Sequence, residues 1–214
     1  LFSWLIVPPI AAWLTIPHFA AIISNTPAST FGWTFFWGVL WGIGGLMYGL
    51  GMRYLGMSLG NSVLLGFTSA FGALAPSVYY NFHPQEGKVT FTDLLNNHWG
   101  QIVLVGVVLC LLGIFICGRA GVLKERELPE EKKKESVKEF NLVKGLIVCI
   151  ISGILSACFN YGIEAGSKMA EVANDAWKAA NPSETGNFLY RNNVIYIVLL
   201  WGGLTTNFIW TMFL

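Results

Sequence analysis

The 214-residue chain is 54% hydrophobic and only 12% charged, with 13 Lys and Arg against 12 Asp and Glu for a formal net charge of +1. A soluble domain carries roughly a quarter charged residues, so this composition excludes an ordinary aqueous globule and makes a bilayer the expected solvent.

Six apolar runs of about 20 residues, each enough to cross roughly 30 Å of hydrocarbon as a helix, follow one another along the chain. They are a (Phe2 to Ile23), b (Gly32 to Met52), c (Ser58 to Tyr80), d (Trp99 to Gly118), e (Leu142 to Gly166) and f (Asn192 to Leu214). Only helices satisfy all their backbone groups within lipid without closing a barrel, and none of the runs alternates with period two. The expected fold class is all-α, a polytopic helical membrane protein. The chain begins at Leu1, inside an apolar run with no basic segment or cleavage site before it, and it stops in apolar sequence at Leu214. We therefore expect an internal piece of a longer protein, without a signal peptide.

In helix a, Pro17 is expected to kink the helix, with His18 either satisfying the freed carbonyl or relaying a proton. Helix b carries Gly38, Gly42, Gly45 and Gly49 along one face, which predicts close helix packing. Trp37, Trp41 and Tyr48 share another register of the same helix. A turn marked by Arg53, read as an interfacial anchor, leads into helix c, where Ser58, Ser62, Gly66 and Ala70 repeat every four residues. Asn61 and Thr68 lie seven apart on c. Aromatic faces with fixed hydrogen-bond partners are what a neutral sugar needs, so Trp41, Tyr48, Asn61 and Thr68 are candidate substrate contacts. Against this stands the common use of tryptophans at membrane interfaces and of single asparagines as bridges between helices.

Cys110, Cys117, Cys149 and Cys158 fall within predicted spans at spacings that match no zinc or redox motif, and are read as packing residues. No catalytic motif, metal site or cofactor-binding motif is present, so an enzyme is not expected. Between d and e, the segment 119–141 is rich in both signs of charge; from Arg119 to Lys144 there are eight basic and six acidic residues. That mixture reads as a solvated linker between two halves, not as a nucleic-acid or lipid-binding tail. If the spans alternate, Arg53 joins those eight for nine basic residues on one side, against Lys88, Lys168, Lys178 and Arg191 on the other. The excess places the linker in the cytoplasm.

Helix e carries the small-residue series Gly145, Cys149, Gly153 and Ala157, then Asn160 and Glu164 one turn apart. A carboxylate facing lipid at mid-membrane costs about 2.5 to 3.5 kcal/mol, so Glu164 should face protein or water, either as a proton carrier or as an interfacial charge beyond the helix end. With His18 it forms the candidate proton-coupling pair. After it, Met169, Val172, Ala173, Ala176, Trp177 and Ala180 alternate with Lys168, Glu171, Asn174, Asp175 and Lys178 at helical spacing, predicting an amphipathic helix that lies on the membrane or caps the bundle.

The segments WGIGGLMYGLGMRYLGMSLG (41–60), GRAGVLKER, EFNLVKGL and GILSA, in that order over roughly Phe36 to Leu155, resemble the L-rhamnose–proton symporter family of the drug/metabolite transporter superfamily. The resemblance implies a ten-helix transporter of two inverted five-helix repeats in the inner membrane, importing L-rhamnose or a related neutral sugar with protons by alternating access. Helices a to f then correspond to helices two to seven: 1–118 is most of the first repeat, 119–141 the cytoplasmic linker, and 142–214 the start of the second. In the superfamily the cavity is lined by the counterparts of b, c and e, which favours Trp41, Tyr48, Asn61, Asn160 and Glu164 over Trp201 and Asn207 in f. Two alternatives stand beside this: a related transporter of nucleotide sugars, sugar phosphates or amino acids, and a membrane sensor or enzyme that binds sugar without moving it. An anionic cargo wants a mid-helix arginine or lysine, and a to f contain none.

Overall fold

A computed structural model describes residues 2–127 and 141–213. Among these the secondary structure is helical throughout: α1 (Phe2–Thr15), α2 (Phe19–Ser24), α3 (Ala28–Phe82), α4 (Phe91–Asn96), α5 (His98–Glu127), α6 (Leu142–Ala165), α7 (Ser167–Ala180) and α8 (Asn193–Phe213). Most of the charged linker, 128–140, lies outside the described residues, while α5 continues as helix to Glu127, beyond the expected end at Gly118.

At about 1.5 Å per residue, α3 as one straight rod would run roughly 80 Å, far more than a bilayer. Gly56 breaks it, with φ 77° and ψ 168°, a backbone state that only glycine adopts without strain. The arms 28–55 and 57–82 are the expected helices b and c. They fold back on one another, for a Cβ built on Gly60 would meet the Met52 side chain, and Tyr48 bonds to Asn61 across the turn. Arg53 is exposed on the last turn before the break.

Helix a departs from expectation. Instead of a kinked continuous helix, α1 ends at Thr15 and α2 restarts at Phe19, with His18 between them in the left-handed region at φ 53° and ψ 32°. Pro17 has no N–H, and its ring crowds the carbonyl four residues back, so the helical ladder stops there. Fourteen residues make α1 about 21 Å long, short of a full crossing.

The chain divides into two compact units, Leu1–Ile43 with Cys158–Leu214, and Gly44–Ala157. In the first, α8 packs on α1 and on the upper part of α3, and its core of Val194, Ile195, Ile197 and Val198 joins Met169 and Ala173 of α7. Here glycines set the helix separation. A Cβ on Gly38 would strike the Leu199 carbonyl oxygen, and one on Gly42 would lie 2.9 Å from Gly203 Cα. Thr206 Oγ1 donates to the Val39 carbonyl oxygen at 3.1 Å across the same contact.

In the second unit, α6 lies against both arms of α3. Its small-residue series is buried at every position: Gly145 meets Tyr54 and Leu55, Cys149 meets Gly51, Gly153 meets Leu64 and Thr68, and Ala157 is 1% exposed. Ser152 Oγ donates to the Gly44 carbonyl oxygen at 2.6 Å. The glycine stripe of helix b is only half as expected. Gly45 and Gly49 meet nothing within 4 Å, and the glycines that receive α6 are Gly44 and Gly51. At about 100° per residue those two lie roughly 140° around the helix from the stripe, because α6 approaches that side. Cys149 and Cys158 are buried as expected, but Cys110 and Cys117 are exposed on α5, whose surface is largely apolar.

Two features outside the spans were not foreseen or only partly so. Thr90 and Asp93 form a reciprocal capping box at the start of α4, and these hydrogen bonds hold the Asp93 carboxyl below the usual range. The expected amphipathic helix is α7, docked on α2 and α8, but its buried face is rotated: Val172 is exposed and Asn174 is buried. Asn174 Oδ1 accepts from the Phe188 N–H at 2.7 Å, and Trp177 stacks on Phe188 at 5.0 Å, so the returning loop covers a polar position.

Candidate functional site

The candidate polar residues fall in both units. In the second unit, Tyr48 near the end of the first arm donates its hydroxyl to Asn61 Oδ1 at 2.7 Å. Both side chains are half-buried. The amide nitrogen of Asn61 has no hydrogen-bond partner among the described residues, so this pair presents a fixed, unused donor at membrane depth. Thr68, two turns further along the second arm, spends its hydroxyl proton on the carbonyls of Leu64 at 2.9 Å and Gly153 at 3.1 Å. Its hydroxyl therefore ties the second arm to α6 and retains only acceptor capacity. Of the expected substrate contacts, Tyr48 and Asn61 are brought together.

In the first unit, Trp41 sits between Trp4, at 4.9 Å between ring centroids, and Phe159, at 5.1 Å. The α8 backbone at Gly203 approaches so closely that a Cβ there would lie 2.8 Å from Trp41 Cε3 and Cζ3. Phe159 stacks in turn on Tyr196, 6.1 Å away and 18° from parallel, and Trp37 meets Tyr161 edge-on at 5.3 Å. Asn160 is exposed, and its side chain makes no hydrogen bond among the described residues. Glu164 is exposed one turn further along α6, inside the helix and three residues before the start of α7. His18 is exposed in the α1–α2 break, and its imidazole does not cap α2.

Sequence reasoning missed Trp4, Phe159 and Tyr196 as companions of Trp41. They come from α1, α6 and α8 and are up to 192 positions apart, counting from Trp4 to Tyr196, so no local spacing joins them. The available signal was the lone tyrosine within the aliphatic run VIYIVLL.

These features define a multi-pass helical membrane protein whose spanning helices carry amide groups without a hydrogen-bond partner among the described residues. The chain belongs to the L-rhamnose-proton symport protein (RhaT) family, whose model matches residues 1–213. It is 36% identical over 205 residues to the L-rhamnose-proton symporter of Enterobacter sp. (strain 638), an alignment covering 96% of this chain and 54% of that protein. Identity and coverage are the same for the L-rhamnose-proton symporters of Shigella boydii serotype 18 and Escherichia coli O1:K1 / APEC. The chain thus spans about half the length of the curated relatives it matches. No solved structure matches it. The family is one of symport proteins and not of enzymes, and its member here is a multi-pass protein of the cell inner membrane.

Proposed function

We propose that the full-length protein imports L-rhamnose together with protons by alternating access between two inverted repeats. The observation that carries this reading is the family match along nearly the whole chain. In this reading 1–118 belongs to the first repeat and 142–214 to the second, joined by a cytoplasmic linker at 119–141. The sugar is neutral, and in keeping with that a to f hold no mid-helix lysine or arginine.

In this reading the second unit offers Asn61 as a hydrogen-bond partner for a sugar hydroxyl, oriented by Tyr48 and with Thr68 as an acceptor, while in the first unit Asn160 offers a hydrogen bond and Trp41 an aromatic face. Glu164 carries the coupled proton, with His18 as a second titratable group in the same unit. A carboxyl that must be protonated before sugar binds makes uptake follow the proton gradient.

The test is labelled L-rhamnose uptake by cells expressing the full-length protein. Wild type is expected to accumulate sugar and to lose that accumulation when a protonophore is added. Glu164→Gln is expected to retain sugar exchange across the membrane while losing accumulation against a gradient. Uptake of no rhamnose by wild type refutes the cargo; unchanged accumulation by Glu164→Gln removes that carboxyl from coupling.

A further inference from the structure

The aromatic residues of the first unit form a series that extends beyond Trp41. Trp4, Trp41, Phe159 and Tyr196 stand on four different helices, with successive centroids 4.9, 5.1 and 6.1 Å apart. These are contact distances between neighbouring rings, so the four side chains form one continuous aromatic wall. Gly203 fixes the Trp41 ring against α8, since no side chain fits between them. Tyr196 rises from the same helix, flanked by the fully buried Val194, Ile195 and Ile197. Its own ring is only half-buried, and its hydroxyl has no hydrogen-bond partner among the described residues. A phenol in a membrane protein needs a polar partner for that hydroxyl, and water or a polar ligand is what remains.

We propose that Tyr196 is a specificity-determining residue for the transported sugar, its hydroxyl bonding one sugar hydroxyl while the stacked Phe159 receives the apolar face of the ring. This rests on the sugar-transport reading above and adds a contact from α8 to the aromatic face offered by Trp41 in the same unit. Phe159 supplies ring area without a polar demand, and Tyr196 supplies the directional bond. A site built to bond a hydroxyl rejects analogues that lack it, because its own group is then left unpaired. Discrimination among monodeoxy and epimeric sugars should therefore depend on this one oxygen.

The test uses the full-length protein in cells, with labelled L-rhamnose and a panel of its monodeoxy analogues as competitors, and with membrane abundance measured in parallel. Wild-type uptake of rhamnose is the control for the transport reading itself and fails or succeeds independently of any variant. Tyr196→Phe deletes only the oxygen, and is expected to raise the KM about fivefold with little change in maximal rate. One monodeoxy analogue, the one missing the bonded hydroxyl, should lose its disadvantage in this variant while the others keep theirs. Phe159→Leu, which retains bulk but removes the ring, is expected to raise the KM for all of the sugars alike. An unchanged KM and an unchanged analogue ranking in Tyr196→Phe would overturn the proposal. So would an equal loss for every analogue, which is what a merely structural role produces.

Discussion

Gly202→Ala is expected to destabilise the full-length protein by about 1–3 kcal/mol, whereas Gly49→Ala leaves it unchanged or slightly more stable. The two substitutions add the same methyl group to a helix interior, and they differ in what that methyl meets. At Gly202 it would strike the Phe35 carbonyl oxygen and lie 2.9 Å from the Val39 nitrogen and 3.0 Å from the Gly38 carbonyl carbon, all backbone. Backbone cannot swing aside as a side-chain tip can, so α8 must move away from α3 and the Thr206 bond to Val39 is lengthened. At Gly49 the methyl meets nothing within 4 Å, and the helix propensity of alanine favours it by about 1 kcal/mol. Thermal unfolding of the purified full-length protein in detergent, with both variants side by side, makes the comparison. Equal losses at the two positions would contradict the packing described for α8 against α3.

Substitution at the hairpin is expected to show a coupled pair. Asn61→Ala should raise the KM for sugar about tenfold, since it removes the unused donor together with the acceptor that holds Tyr48. Tyr48→Phe should raise it about threefold, by releasing the amide of Asn61 to rotate. If Tyr48 acts through Asn61, the double variant is no worse than Asn61→Ala alone. The coupling then equals the Tyr48→Phe effect, about 0.65 kcal/mol for a threefold change, close to the average of about 0.6 kcal/mol measured for hydrogen bonds between membrane helices. Strictly additive effects would instead make Tyr48 an independent contact and dissolve the pair as a unit.

The hairpin itself was legible because the run from Trp41 to Gly60 combines apolar length with glycines and a single arginine. Which of its glycines makes the turn was not, since Gly51, Gly56 and Gly60 are equivalent by composition; only Gly56 takes a positive φ. Helical periodicity placed Gly38, Gly42, Gly45 and Gly49 on one face correctly as geometry, yet the stripe meets α8 only at its first half. A wheel shows which residues share a face; the direction from which a neighbour arrives depends on the rest of the fold. The same limit explains Asn174, read as solvent-facing in an amphipathic pattern. Its partner, the Phe188 N–H, lies 14 residues on, and once paired the amide is buried at little cost. At Pro17 the local rule was right that the ladder fails, but the chain resolved it by ending α1 and turning at His18 instead of bending one helix. Family spelling, by contrast, was readable outright, because motifs such as the 41–60 run and GRAGVLKER are long enough to identify relatives where periodicity identifies only helices.

The site was legible in part for a related reason. Tyr48 and Asn61 are 13 residues apart across one turn, within reach of a hairpin argument. Trp4 with Trp41, and Phe159 with Tyr196, are tertiary encounters that no spacing announces.

Proton movement driven by sugar is the most direct test of the account. The full-length protein, purified and reconstituted into proteoliposomes, would be given an inward step of L-rhamnose with no imposed proton gradient, while external pH is recorded in weak buffer. Symport predicts that rhamnose entry alkalinises the medium, that the signal disappears with a protonophore, and that no such change follows addition of a sugar the protein does not carry. Rhamnose entry with no accompanying change in external pH would contradict proton-coupled transport.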